Sequence, residues 1–220
     1  MTDSRARTTA DGPSGRVIAV VPLRGGGNGK SRLAEDLDPE ERDRLVAVLA
    51  RHVVRTLLLV VDRVVVVTGD VAYASKAVGR DTRVDVFEQV RAGLNGAVAD
   101  GHEFALAGAA KRVVVVHADL PVLAPGDVRD LVRAPGPVVI APDRAEEGTN
   151  ALVLHRSVGD WEFRFGPGSY AAHTAEADRL GVEPHVLRGP GTGVDLDTPA
   201  DWAELPENVR ESLRKKLRSA

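Results

Sequence analysis

The sequence predicts a single three-layer α/β domain with a mostly parallel sheet, on three observations. Runs of β-branched residues alternate along the chain with segments of helical, amphipathic spacing. Two of those runs, Val64 to Thr68 and Val113 to His117, are nearly continuous in valine, the pattern of a strand covered on both faces. The first run, Val17 to Val21, leads directly into Pro22-Leu23-Arg24-Gly25-Gly26-Gly27-Asn28-Gly29-Lys30-Ser31-Arg32-Leu33, a glycine-rich loop at a strand's carboxyl end, where open α/β sheets bind ligands.

The elements follow in order. Asp38-Pro39-Glu40-Glu41 reads as a helix start, with Asp38 as N-cap, Pro39 at the first helical position and acids in the first turn. That helix carries Leu45, Leu49 and Val53 on its core face. Strand Val64 to Thr68 is followed by a short helix from Val71 to Val78, a strand from Val84 to Phe87, and a helix from Leu94 to Ala107 opened by Gly93. After the central strand Val113 to His117 come a helix from about Asp127 to Arg133, strands Val138 to Ala141 and Asn150 to Leu154, and a helix from Tyr170 to Leu180 that Gly181 can close. Residues 1–15 read as a disordered tail, 16–207 as the domain, and 208–220 as a basic helical tail whose cations complement the helix dipole.

Bulk properties narrow the function. A formal net charge of -3 over 220 residues argues against a nucleic-acid surface and for local positive charge directed at small anions. The absence of cysteine removes disulfides, thiolate catalysis and thiolate metal sites. The six histidines show no pairing on one helical turn; most are expected to be ordinary surface residues, and any metal is expected to be Mg²⁺ on oxygen ligands. Residues 1–15 lack the apolar core of a signal peptide, and the longest apolar stretch, Leu57 to Val67, is interrupted by Asp62-Arg63 and is too short to span a bilayer. The expected setting is cytoplasmic, with neither membrane nor nucleic acid as a partner.

The candidate site residues cluster after strands. The loop after the first strand fails as a Walker A motif by one residue, because Arg24 stands five residues before Gly29, where that motif needs glycine. Its glycines and the charges of Arg24, Lys30 and Arg32 still suit a triphosphate. Asp119, in Ala-Asp-Leu-Pro at the end of the central strand, reads as a Mg²⁺ ligand or as a turn or N-cap residue. In an extended Gly193-Val194-Asp195-Leu196-Asp197, the two acids point to one side. Asp195 takes the metal role and Asp197 a supporting one, although Asp197-Thr198-Pro199 also reads as a helix start. Ser169, in Phe-Gly-Pro-Gly-Ser, is the expected N-cap of the helix after it, and its hydroxyl with the first-turn N–H groups would bind an anion; simple capping is the alternative. Asp143-Arg144 and Gly148-Thr149-Asn150 add a guanidinium, a hydroxyl and an amide. No Gly-x-Ser-x-Gly elbow occurs, which speaks against an acyl-transfer hydrolase.

Taken together, Gly-Lys-Ser-Arg-Leu (29–33), Gly-Leu-Asn (93–95), Ala-Asp-Leu-Pro (118–121), Ala-Pro-Asp-Arg (141–144), Gly-Thr-Asn-Ala-Leu (148–152), Phe-Gly-Pro-Gly-Ser (165–169) and Asp-Leu-Asp-Thr-Pro (195–199) resemble the 2-phospho-L-lactate / phosphoenolpyruvate guanylyltransferase family of coenzyme F-420 biosynthesis. The resemblance implies a mixed sheet of the nucleotide-diphospho-sugar transferase, Rossmann-like type. It implies transfer of GMP from GTP to the phosphate of phosphoenolpyruvate or 2-phospho-L-lactate, with release of pyrophosphate. Under it, Leu23, Arg24, Gly25, Gly29, Lys30, Arg32, Gly93 and Asn95 bind the nucleotide, and Asp119, Asp195 and Asp197 hold Mg²⁺. Arg144, Thr149, Gly166 and Ser169 bind the phosphorylated three-carbon acid, and Lys30, Arg32, Asp119 and Asp195 carry the catalysis. Arg24 stands where the family often has Lys, and Ala145 to Glu147 bring two acids into a loop that is less acidic in relatives. The sequence leaves the oligomeric state open, with a homodimer as one option. The alternatives are a transferase of the same fold acting on a sugar phosphate or a molybdopterin-type acceptor, and a nucleotide-binding module without chemistry.

Overall fold

The computed structural model describes residues 15–25, 33 and 37–218. Strand β1 (Val17–Leu23) lies inside a seven-stranded sheet and pairs in parallel with β2 (Arg63–Thr68) and the central β4 (Arg112–Val116); β3 (Val84–Glu88) extends the sheet beyond β2. On the other side stand β6 (Thr149–His155), β5 (Val138–Pro142) and β7 (His185–Val186), giving the order β3-β2-β1-β4-β6-β5-β7. Only β6 is reversed, antiparallel to both β4 and β5, so the sheet is mixed and mostly parallel.

Helices cover both faces, which is why the strands are apolar at successive positions. Val17, Ala19 and Val21 face α1 (Pro39–Leu57), α2 (Val71–Val78) and α4 (Pro125–Arg133), while Ile18 and Val20 face α3 (Gly93–Ala107) and α5 (Ser169–Arg179). Helix α1 begins where the sequence indicates: Asp38 accepts from the Glu41 N–H at 2.8 Å, and Glu41 accepts from the Asp38 N–H at 3.0 Å. Helix α4 starts two residues before its expected position, at Pro125, because Asp127 reaches back to accept from the Ala124 N–H.

Two elements differ from the sequence reading for physical reasons. The two-residue β7 is too short to leave a period in the sequence; it is held to β5 by bonds such as Leu187 N–H to the Ile140 carbonyl at 2.9 Å. The basic C-terminal stretch is no free tail. Together with α6 (Pro199–Glu204), helix α7 (Glu207–Arg218) returns to the domain and buries Leu213 among Leu45 and Leu49 of α1 and Leu196 and Leu205. The predicted tail up to residue 14 lies outside the described residues.

Close approach of α3 to the sheet depends on Gly101. A Cβ there would lie 2.5 Å from Val20 Cγ1 and 2.8 Å from Val67 Cγ2, two β-branched side chains that have no room to retreat. Gly101→Val is therefore expected to destabilise the protein by about 1–3 kcal/mol in urea unfolding. Gly126→Ala, in α4 where nothing lies within 4 Å, is expected to be neutral or stabilising by up to about 1 kcal/mol.

Candidate active site

At the carboxyl edge of the sheet a cleft of about 1080 Å³ opens between the ends of β1, β2, β3 and β4, the start of β6, the N-terminus of α3 and the loop that enters α5. Because β6 runs backwards, its first residues and not its last reach this edge. His117, just beyond β4, donates its N–H to the Asn150 carbonyl at 3.0 Å, fixing Thr149 and Asn150 beside Ala118 and Asp119.

Asn150 ties the acids together. Its side-chain amide donates to the Thr192 carbonyl at 2.9 Å and to Asp195 Oδ1 at 3.3 Å, while the Leu196 N–H donates to the Asp119 carbonyl at 3.1 Å. Asp119, Asp195 and Asp197 all line the cleft. Burial pushes the Asp195 carboxyl above its ordinary range, the charges of Asp119 and Asp197 push it the same way, and the bond from Asn150 opposes them. The helix start is resolved by Thr198, which is the N-cap of α6 and exchanges bonds with Asp201; Asp197 stands one residue outside. Among the described residues no group of three or more His, Cys, Asp or Glu side chains is arranged as a complete metal site. Asp119 and Asp195 offer the oxygen donors of a site for a hard cation that keeps waters and substrate oxygens among its ligands.

The other half of the cleft is built from hydroxyls. Thr149 and Ser169 are 1% and 2% exposed, and the Thr149 N–H donates to Ser169 Oγ at 2.8 Å. Ser169 is thus not the N-cap the sequence suggests. Gly168, with φ at 71° in the left-handed region that glycine tolerates, takes that place and frees the Ser169 hydroxyl to reach β6. The first-turn amides of α5 are also less free than the motif implies, since the Ser169 N–H bonds the Gly166 carbonyl at 3.0 Å and the Tyr170 N–H bonds the Glu147 carbonyl at 3.2 Å.

Behind this pair sits His173, fully buried, with Nδ1 3.0 Å from Thr149 Oγ1 and Nε2 accepting from the Arg164 N–H at 3.1 Å. Burial lowers its pKa to about 4, the neighbouring His117 adds to the shift, and Glu176 opposes it. The expectation that most histidines lie at the surface fits the other five, which are partly exposed, and fails for His173. The available signal was the i, i+4 placement of His173 after Ser169 on the core face of a helix.

The remaining candidates divide. Leu23, Arg24 and Gly25 line the cleft at the end of β1. A Cβ on Gly25 would meet the Tyr73 ring at 2.5 Å, and that ring is pinned by its hydroxyl donating to the Asp43 carbonyl at 2.8 Å. The Tyr73 hydroxyl is itself pushed up to about 12 by burial and by Asp43 and Asp70. Gly93 and Gly166 also line the cleft. Asn95 does not. It spends both ends of its amide on Phe165, donating to the carbonyl at 3.0 Å and accepting from the N–H at 2.7 Å, and so acts as a strut for the loop before Gly166. Arg144 is turned outward into an ion pair with Glu204. Gly29, Lys30 and Arg32 lie outside the described residues. Among the described residues no helix is long and apolar enough to cross a membrane.

The raised Asp195 pKa carries a stability cost with a definite sign. The penalty is absent while the group is protonated, below the ordinary carboxylate range, and is incurred as pH rises through the folded value. Asp195→Asn, which still accepts from Asn150, is expected to raise the melting temperature by a few degrees near about pH 7.5, with the gain shrinking toward about pH 4. A lower melting temperature at neutral pH would show that the carboxylate is not strained.

Residues 17–212 match the family model described as "Guanylyl transferase CofC like". The chain is 40% identical over 193 residues to the phosphoenolpyruvate guanylyltransferase of Rubrobacter xylanophilus, covering 86% of this chain and 93% of that protein. It is 33% identical over 196 residues to the 2-phospho-L-lactate guanylyltransferase of Methanothrix thermoacetophila, covering 86% and 82%. In structure it is similar to a putative nucleotide-diphospho-sugar transferase from Desulfovibrio desulfuricans, with a TM-score of 0.72 at 15% identity over 92% of this chain and 97% of that one. A seven-stranded mixed sheet with its cleft at the carboxyl edge, and a family match over nearly all of that sheet and its helices, lead to one conclusion: the chain belongs to the CofC-like guanylyl transferase family, whose members are nucleotidyltransferases.

Proposed function

We propose that this protein transfers GMP from GTP to the phosphate of a phosphorylated three-carbon acid, phosphoenolpyruvate or 2-phospho-L-lactate. The observation that carries the reading is that the Thr149–Ser169 hydroxyl pair and the Asp119–Asp195 carboxylates face one cleft. The hydroxyls suit an anionic acceptor, the carboxylates suit a cation shared with a nucleotide, and the relatives' names point to the acid and to a guanylyl group as what is transferred.

An oxygen of the acceptor phosphate attacks the α-phosphorus of GTP, forming a new P–O bond as the bond from that phosphorus to the α,β-bridging oxygen breaks and pyrophosphate leaves. A phosphate monoester has its second pKa near ~6 and is largely dianionic at neutral pH, so the step needs no protein base to make its nucleophile. The residues therefore work by positioning and by charge. Thr149, Ser169 and the Gly166 loop seat the acid. Arg24 and Gly25, with Lys30 and Arg32, are assigned to the triphosphate and to the leaving pyrophosphate. Asp119 and Asp195 would hold Mg²⁺, with Asp197 beside them, and the bound ion supplies neutralisation of phosphate charge. The raised pKa of Asp195 fits this assignment, because a cation relieves the crowding that causes it. The product is assigned to coenzyme F-420 biosynthesis.

The test is to incubate the protein with GTP, Mg²⁺ and a mixture of phosphoenolpyruvate, 2-phospho-L-lactate and phosphoglycerate, and to read the product by mass spectrometry. Phosphoenolpyruvate is the expected acceptor, in keeping with the Rubrobacter relative. Asp119→Asn is expected to lower pyrophosphate release by about a hundredfold or more with unchanged unfolding. Turnover with a sugar 1-phosphate alone, or near-normal turnover of the variant, would overturn the reading.

A further inference from the structure

A hydroxyl can donate or accept, and what it does in an anion site is decided by its other partners. Around Thr149 the backbone makes that decision through His173. The Arg164 N–H points at His173 Nε2 from 3.1 Å, and a backbone amide can only donate, so Nε2 must be the unprotonated nitrogen. An Nε2–H tautomer would set two donors head to head. The ring hydrogen is then on Nδ1, 3.0 Å from Thr149 Oγ1, and the ring donates to the hydroxyl oxygen.

The surroundings keep the ring neutral. Phe165 lies edge-on at 4.6 Å between centroids and Trp161 at 6.0 Å. A nearby acid, Glu176 on the same helix, is engaged by Arg179 at 2.6 and 2.8 Å and by the Glu162 N–H at 2.7 Å. His117, whose ring packs 5.2 Å from Phe165, also weighs against a charge on His173. A ring with its pKa near about 4 stays neutral throughout the physiological range.

We propose that His173 is a positioning residue: by donating from Nδ1 to Thr149 Oγ1 it takes up an accepting lone pair and obliges the Thr149 hydroxyl to present its own hydrogen to an anionic group in the cleft. Ser169 is set in the same way, since its Oγ already accepts from the Thr149 N–H at 2.8 Å. Two nearly buried hydroxyls are thus set as donors side by side, that of Thr149 by His173 and the Arg164 backbone, and that of Ser169 by the Thr149 backbone N–H. Neither the backbone nor the ring has to reorganise when an anion arrives. The identification of that anion as the phosphorylated acid rests on the function proposed above; the direction of these hydrogen bonds does not.

The direction is tested first on the wild-type protein without substrate. Long-range ¹H–¹⁵N NMR on ¹⁵N-histidine-labelled protein at neutral pH should show His173 protonated at Nδ1 and bare at Nε2, and the opposite tautomer would overturn the proposal. Kinetics supply the second arm. His173→Asn keeps a donor near the Nδ1 position and is expected to hold the acceptor KM within about twofold of wild type. His173→Gln carries its amide toward the Nε2 position and should raise the acceptor KM about tenfold, with kcat and the GTP KM nearly unchanged. In a Thr149→Val background the Asn and Gln variants should no longer differ. Equal effects of the two variants in the native background would reduce His173 to a packing residue. Should wild type turn over neither acid, the proposed function fails, and inorganic phosphate replaces the acceptor. Phosphate should then perturb the Thr149 and Ser169 amides in the wild-type and His173→Asn proteins and not in His173→Gln, and equal response in all three would overturn the relay.

Discussion

The antiparallel course of β6, inserted between β4 and β5, is the constraint on which the rest of this structure depends. In an all-parallel sheet of this order, the start of β6 would lie at the far edge, about 20 Å from the ligand side given ~3.3 Å of rise per residue. Reversal brings Thr149 and Asn150 to the edge where β1 and β4 end, and the His117 to Asn150 backbone bond fixes their height. Asn150 then holds the segment that carries Asp195, and Thr149 holds Ser169 of α5. One strand direction thus joins four separated stretches of chain into a single cleft.

The cleft is expensive and the sheet offsets the cost. Half-buried carboxylates in mutual repulsion and hydroxyls held as donors are poor contributors to stability in the absence of ligand. Around them stands a sheet whose central strands are buried on both faces, with valine at nearly every position of β2 and β4 and helices on either side. Gly101 lets α3 press directly on Val20 and Val67 where it meets the sheet. Strain at a site carried by a well-packed scaffold is the usual exchange between stability and function.

Much of the fold was legible in the sequence because its signals are local. Continuous valine runs mark strands covered on both faces, and Asp38-Pro39-Glu40-Glu41 marks the start of α1, where the structure confirms it. Asp119 was legible because it follows β4 closely, and Asp195 and Asp197 because alternate residues of an extended segment share a side. What was not legible depends on partners distant in sequence. Asn95 sits in a motif beside the cleft, yet its amide is consumed by Phe165, 70 residues away. Ser169 looks like a cap until Gly168 takes that role and the hydroxyl crosses to β6, and Arg144 is drawn off by Glu204. His173 gives no sign of its function in one dimension, since only the fold brings it to Thr149.

The proposed function is that of a transferase that would arrange two anions and supply little covalent chemistry of its own, with the acid seated on the hydroxyls and the nucleotide phosphates toward the carboxylates across the same cleft. The most direct test is a crystal structure with phosphoenolpyruvate and a GTP analogue in which a methylene group replaces the α,β-bridging oxygen. The account predicts the acid hydrogen-bonded to the Thr149 and Ser169 hydroxyls, with its phosphate facing an α-phosphate on the Asp119 and Asp195 side. An acid bound outside the cleft, or within it without contact to either hydroxyl, would contradict it.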